Sequence, residues 1–312
     1  MRSKKLLYRL IQIVIVLIGI SFFTFLLTYL APGDPARIML TSSGVMPTES
    51  AVEELSERMG FNDPFFVRYF RWLGNALHGD LGISFSLNKP VADLLADRLV
   101  PTIKLTLLSV FLMVIAAVPL GMLSAVYKDS WIDNVIRVFT FLGVSLPNFW
   151  AGLMLMLVFG VYLGIFPVIC TGDDLKSVFL PAVTLAIVMA AKYTRQVRTT
   201  VLEELDQDYV TGARARGVSE SRILWFDVFP NALLPLITML GLSIGSLLGG
   251  TAVVEVIFSY PGLGSLAVSA ITSSDYNLIQ GYVLWIALIY MVINLIVDIS
   301  YNYIDPRLRL RR

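Results

Sequence analysis

The chain has 312 residues, 56% of them hydrophobic and 15% charged, with a formal net charge of +1. Soluble domains carry about 25% charged residues, so the composition points to a membrane protein, and the near-neutral balance supplies no global field for nucleic acid. Cys170 and His78 are the only residues of their types, which excludes an intrachain disulfide, clustered histidine sites and a zinc finger.

The first element is Leu10–Leu30, uncharged and preceded by Arg2, Lys4, Lys5 and Arg9. It exceeds the usual h-region of about 7–15 residues and no small-x-small cleavage site follows, so it reads as a retained span, not a signal peptide. Residues 31–100 form an outer segment. "APGDP" breaks the chain, and "ESAVEELSERMG" predicts a helix stopped by Gly60. "DPFFVRYFRWLGNAL" predicts a second, with Asp63 as N-cap and Pro64 at the first helical position. "KPVADLLADRLVP" predicts a third, short and bounded by Pro90 and Pro101. These helices are too apolar to float free.

The further uncharged runs are Leu105–Tyr127, Val138–Gly172, Val228–Val254 and Tyr276–Val297, each able to cross a core that needs about 20 helical residues. Val138–Gly172 is too long for one span, so "GIFPVICTG" is assigned to an outer loop. Ser177–Ala191 is short, and snorkelling by Lys192 and Arg195 extends it to a span. Pro119, Pro147 and Pro235 fall inside spans. Kinks there are tolerated where neighbouring helices or water satisfy the freed carbonyls.

The expected fold is therefore an all-α integral membrane protein with six transmembrane helices. Basic residues set its orientation. They mark the N-terminus, the loop with Lys128 and Arg137, the segment from Lys192 to Arg222, and the tail "DPRLRLRR", while the alternate short loops are poor in them. Six spans with both termini cytoplasmic put every basic segment on one side. The expected organisation is 1–30 tail and first span, 31–100 extracytoplasmic segment, 101–304 core with a cytoplasmic loop at about 203–229, and 305–312 basic tail.

No G-x-x-x-x-G-K-[ST], H-E-x-x-H or nucleophile elbow occurs, and none of the lysines follows a glycine. The chain has no Walker A loop of its own, no catalytic residue is assigned, and it is expected not to be an enzyme. The charged island at 206–231, "DQDYVTGARARGVSESRILWFDVFPN", lies within the most apolar half. Leu202, Leu205, Tyr209 and Ala213 fall on one helical face, Gly217 is a natural stop, and Ser219 with Glu220 opens a second helix ending near Pro230. Small residues at Gly212, Ala213, Ala215 and Gly217 offer a low surface that another backbone could approach. An amphipathic connector lying on lipid headgroups is the other reading, and on the residues alone the two stand level.

This island resembles the cytoplasmic coupling loop of permease subunits of ATP-binding-cassette importers, and more narrowly that of the dipeptide/oligopeptide/nickel permease family. The matching residues are Asp208-Tyr209-Val210, Ala213-Arg214-Ala215, Gly217, and Asn231 with Pro235; the "EAA" letters of the wider motif are not kept, and Glu203-Glu204-Leu205 stands near their place. Further matches are "PGDP" at 32–35, "GDLGIS" at 79–84, "SLPNFW" at 145–150, "GGTAVVEVIFSYPGLG" at 249–264, "DY" at 275–276, "NLIVD" at 294–298 and "DPRLR" at 305–309. They cover nearly the whole chain in order. The resemblance implies one N-terminal span added to the five-helix core of a type I importer, a second homologous permease as heterodimer partner, two ATPase subunits that use ATP and Mg, and an extracytoplasmic substrate-binding protein. It also implies a bacterial or archaeal inner membrane, and no cofactor in this chain. Glu203, Asp208, Tyr209, Ala213, Arg214, Ala215, Gly217 and Asn231 become the coupling candidates.

Gly241, Gly245 and Gly249 recur every four residues, the spacing that lets helices approach; packing within the chain is the first reading and a subunit contact the second. Pro147, Asn148, Glu255 and Asp298 are candidates for lining or gating the path. Glu255 and Asp298 fall near the two interfaces, where both are expected to be wet, with structural pairing or capping as the first reading and the path as the second. His78 reads as a polar surface contact, and no metal ligand is assigned. "ALHGDLGISF" and "FLGVSLPNFW" look closest to nickel-type members. With so few soft ligands a chelated metal fits better than a bare ion, and a di- or oligopeptide is the alternative cargo. A stand-alone channel or secondary transporter is the rival class.

Overall fold

The structure, a computed structural model, describes residues 2–42, 44, 46–170 and 174–304. In chain order the helices are α1 (Arg2–Leu30), α2 (Pro35–Ser42), α3 (Glu49–Met59), α4 (Phe65–Leu77), α5 (Val91–Val126), α6 (Trp131–Ser145), α7 (Asn148–Leu155, continued by a π-helical stretch Met156–Tyr162), α8 (Leu175–Leu205), α9 (Asp208–Ala215), α10 (Glu220–Arg222, continued by a π-helical stretch Ile223–Val228), α11 (Phe229–Gly250), α12 (Ala252–Ile257), α13 (Leu263–Thr272) and α14 (Tyr276–Ile304). Among the described residues the β structure is limited to a single bridge, Ile83 with Pro90.

Five helical stretches are long and apolar enough to cross a membrane: Ile11–Leu30, Val91–Val126, Leu175–Leu205, Glu220–Gly245 and Tyr276–Val297. A sixth crossing requires α6 and α7 to count as one span, and they meet at 102°. Pro147 explains the bend. It sits in extended backbone (ψ 136) as the cap of α7, not inside a helix as expected from the sequence. Its ring disfavours helical geometry at the preceding residue, and Leu146 is extended (ψ 128).

The chain divides into two compact units. The first combines residues 1–102 with 261–292. Here α1 presents Phe22, Phe25 and Tyr29 edge-on to Phe65 and Tyr69 of α4, the geometry that the ring quadrupole favours. Elsewhere α1 exposes apolar side chains at Ile11, Val14, Ile15, Ile18 and Phe23, the surface a lipid-facing helix presents. The α3 helix opens on the Thr48 hydroxyl and stops at Gly60, where φ is +69. Gly60 N donates to Glu57 O and Phe61 N to Ser56 O, the paired bonds that close a helix through a left-handed residue. Asp63 does not cap α4: Pro64 holds the cap position and the Asp63 carboxylate is taken by Arg71 at 2.7 Å.

The expected short helix between Pro90 and Pro101 is instead the first part of α5, which runs on through Pro101. A proline inside a helix removes one hydrogen bond; burial of Val91, Leu94, Leu95 and Leu105 on both sides of it outweighs that loss. The core of this unit gathers Leu81, Val91, Leu94, Leu95, Leu263, Leu266, Ala270 and Leu278.

The second unit combines residues 103–260 with 293–312. Its core joins Leu105, Leu180, Leu185, Leu247, Phe258 and Tyr260. Close helix approaches depend on glycine. A Cβ on Gly121 would stand 2.5 Å from that of Val197, and one on Gly143 2.7 Å from that of Ala191. Gly241 abuts the Val297 side chain, and Gly245 is buried. The expected single run Val228–Val254 is broken at Thr251 into α11 and α12. The side chain of Asp298 and the surroundings of Gly249 lie outside the described residues, as does the tail 305–312.

Candidate functional site

The charged island forms an elbow between α8 and α11. The sequence face Leu202, Leu205, Tyr209 and Ala213 is carried not by one helix but by two, because α8 ends at Leu205 and Gln207 is extended (ψ 151) before α9. Leu202 and Leu205 of α8 and Ala213 of α9 still pack on one cluster, whereas Tyr209 is exposed. Val210, Ala213, Ile223 and Val228 of the elbow are buried with Val197 and Val201 of α8, Ala232 and Leu236 of α11, and Met122 and Ala125 of α5. This cluster roots the elbow in three long helices.

Gly217 closes α9 at φ +75, with Gly217 N donating to Arg214 O at 2.9 Å and Val218 N to Ala213 O at 3.2 Å. It is the same closure as at Gly60, and it fixes the turn toward α10. Ser219 stands at the cap of α10 without a side-chain capping bond. Glu220 instead forms a fork with Arg214, Nε–Oε1 at 2.7 Å and Nη2–Oε2 at 3.1 Å. Glu220 therefore holds the Arg214 guanidinium charged, raising its pKa.

The coupling candidates divide by position. Ala213 faces its own core at 4% exposure, so it is not part of the low surface expected for it. Glu203, Asp208, Tyr209, Arg214, Ala215 and Gly217 are exposed. Tyr209 donates its hydroxyl to Glu204 at 2.7 Å; partial desolvation and Glu204 push its pKa up to about 12. Asn231 donates to Asp227 O at 2.7 Å, so it locks the elbow to α11 rather than lining its surface. Trp225 and Phe226 add exposed aromatic area beside the charged face.

The remaining candidates are not gathered at the elbow. Pro147 and Asn148 are exposed at the bend between α6 and α7. Glu255 is fully buried, correcting the expectation that it is wet, and accepts from the Thr251 hydroxyl at 2.8 Å. Tyr260 N donates to the Glu255 carbonyl, turning the chain out of α12. His78 donates its Nδ1–H to Gly74 O at 2.8 Å on an exposed helix end.

Sequence reasoning missed two buried carboxylates. Asp133 of α6 is taken by Arg198 of α8, by the Ser124 hydroxyl and by the Asp129 amide. Asp275, from the "DY" pair, accepts from Ser84 and Ser86 and from Leu278 N, so it caps α14 and pins the end of "GDLGIS". Beside it Tyr276 donates to Pro32 O at 2.9 Å, which brings "PGDP" to the same place. A buried Asp needs partners, yet separations of 65 and 191 residues leave no local pattern to name them.

Long apolar helices, with an elbow rooted among them and exposed on one side, define a multi-pass membrane protein. Residues 117–310 match the family described as binding-protein-dependent transport system inner membrane component, and residues 3–106 match that family's N-terminal part. The chain belongs to this family. It is the inner-membrane subunit of an ATP-binding-cassette importer, it is not itself an enzyme, and ATP hydrolysis is the work of a separate ATPase. Membership brings an ATPase and a substrate-binding protein as partners. The oligopeptide transport system permease AppB of Bacillus subtilis is 40% identical over 94% of this chain and 95% of its own. The glutathione transport system permease GsiC of Escherichia coli O6:H1 is 36% identical over 96% and 97%. Among solved structures, the MetNI methionine transporter in an inward-facing conformation is similar over 68% of this chain and 96% of its own, with a TM-score of 0.56 at 18% identity, a likeness of fold.

Proposed function

We propose that this chain is the permease subunit of an importer for short peptides and carries half of the translocation path. The observation that carries this reading is end-to-end similarity, at 36–40% identity, to permeases named for oligopeptide and glutathione transport. A nickel chelate is the second reading, resting on the resemblance of "ALHGDLGISF" and "FLGVSLPNFW" to nickel-type members. In the proposed assembly a second homologous permease completes the path, two ATPase subunits using ATP and Mg grip the elbow from the cytoplasm, and both termini are cytoplasmic. ATP-driven closure of the ATPases pulls on α9, and the shared cluster with α5, α8 and α11 passes the displacement to the spans.

The test is reconstitution of the chain with a partner permease, the ATPase subunits and the substrate-binding protein of its own transport system. ATP-dependent uptake of a labelled dipeptide, competed by glutathione or a tripeptide, is expected. Uptake of nickel with no peptide uptake would replace this reading with the second.

A further inference from the structure

Within the first unit, α1, α4, the "GDLGIS" loop and the start of α14 enclose a cleft of about 290 Å³. Arg68 lines it, half-buried, its guanidinium 5.3 Å from the ring centres of both Tyr29 and Phe61. One N–H is spent on Phe61 O at 3.0 Å, and among the described residues no carboxylate forms an ion pair with it. Its neighbour Arg71 is already paired to Asp63. A guanidinium carries five N–H donors, so Arg68 keeps most of its capacity while burial draws its pKa down. The Trp72 indole N–H in the same lining is buried and has no acceptor. Unused donors in a partly desolvated pocket are costly, and the unspent N–H groups of the Arg68 guanidinium favour an acceptor-rich anion. Asp80, whose Oδ1 accepts from Gly82 N at 2.8 Å, lines the cleft as well and suits an ammonium. Phe25, Phe61 and Phe85 supply apolar wall.

We infer that this cleft binds a small zwitterion of amino-acid to dipeptide size, its carboxylate on Arg68 and its apolar side chain on the rings. The volume lies at the lower end of small-molecule pockets, and planar guanidinium is the donor best shaped for a carboxylate. The inference leans on the peptide reading only in its choice of probe, and it concerns a site apart from uptake itself.

The experiment is calorimetric titration of the assembled transporter in nanodiscs, without the soluble binding protein, with Ala-Phe and with its C-terminal amide. Ala-Phe is expected to bind and the amide to bind about tenfold more weakly or worse, the cost of one charge-assisted contact. Arg68→Lys keeps the charge and loses the fork, and is expected to weaken Ala-Phe about tenfold with the thermal midpoint held. Equal binding of acid and amide, no binding of either, or wild-type affinity in Arg68→Lys would overturn the site. Continued peptide uptake alongside such a result leaves the peptide reading standing, whereas absence of peptide uptake overturns that reading and not this one.

Discussion

Arg198 holds both oxygens of the fully buried Asp133, Nε to Oδ1 at 2.8 Å and Nη2 to Oδ2 at 2.7 Å. The pair ties α6 to α8 about two turns before the elbow begins. The two sides are unequally placed: the Arg198 side chain is 20% exposed and that of Asp133 is 0% exposed. Removing one partner of a buried pair costs about 3–5 kcal/mol, because the other charge stays behind. Arg198→Met, which strands the buried carboxylate, is expected to lower the thermal midpoint of the detergent-purified protein more than Asp133→Ala, which leaves an arginine able to reach water. Asp133→Leu combined with Arg198→Met is expected to recover most of the loss. Equal midpoints for the two single variants would contradict the asymmetry.

Gly217 tests the elbow. Its φ of +75 costs a side-chain-bearing residue about 1 kcal/mol or more, but a Cβ there would meet nothing within 4 Å in this chain. Gly217→Val is therefore expected to reach the membrane in near-normal amount and to lose substrate-stimulated ATP hydrolysis, because the added bulk falls on the partner's side. Ala215→Asp, on the exposed face, is expected to reduce co-purification of the ATPase. Ala213→Asp would bury a charge in the elbow's own core and destabilise the chain first, so it reports on folding and not on docking. Full transport with ATPase bound in both Gly217→Val and Ala215→Asp would make the elbow a mere connector.

Local chemistry made some of this legible in the sequence. Gly60 and Gly217 both follow helix-forming segments, and both close a helix at positive φ because no Cβ opposes it. The apolar runs announced the long helices because lipid demands uninterrupted length. What escaped was set by distance or by competition. Asp63 has the chemistry of a cap, yet Arg71 one helical face away takes it. Pro101 looks like a boundary, yet the burial on either side of it carries the helix through. Gly121 and Gly143, each in close contact with α8, stand in no repeat, unlike the spaced series at Gly241.

Gly241 lies against Val297 with no room for a methyl group between them. Overpacking of this kind costs about 1–3 kcal/mol. Gly241→Ala is expected to lower the thermal midpoint, and Val297→Ala added to it to restore part of the loss, so that the double variant is more stable than the sum of the two singles. Strict additivity would mean that α11 and α14 separate at this point, and would move Gly241 from intrachain packing to a subunit contact.

Cys170 makes the proposed orientation testable on the native background. The side chain is 1% exposed, its backbone N donates to Phe258 O at 3.0 Å, and burial pushes the thiol up to about 11. Thiolate is the reactive form, so the raised value leaves almost none at pH 7.5, and labelling of the native chain by maleimide is expected to stay low until the pH approaches that value. Single cysteines can then be read without background. Thr272 and Ser219 are both exposed, and α11 lies between them in the chain. With both termini cytoplasmic, Thr272→Cys is expected to react with an impermeant maleimide in sealed cells, and Ser219→Cys only after the membrane is opened. The reverse pattern would invert the orientation and put the elbow out of reach of a cytoplasmic ATPase. Reaction of both from outside would mean that α11 does not cross, leaving too few spans to carry the termini to one side.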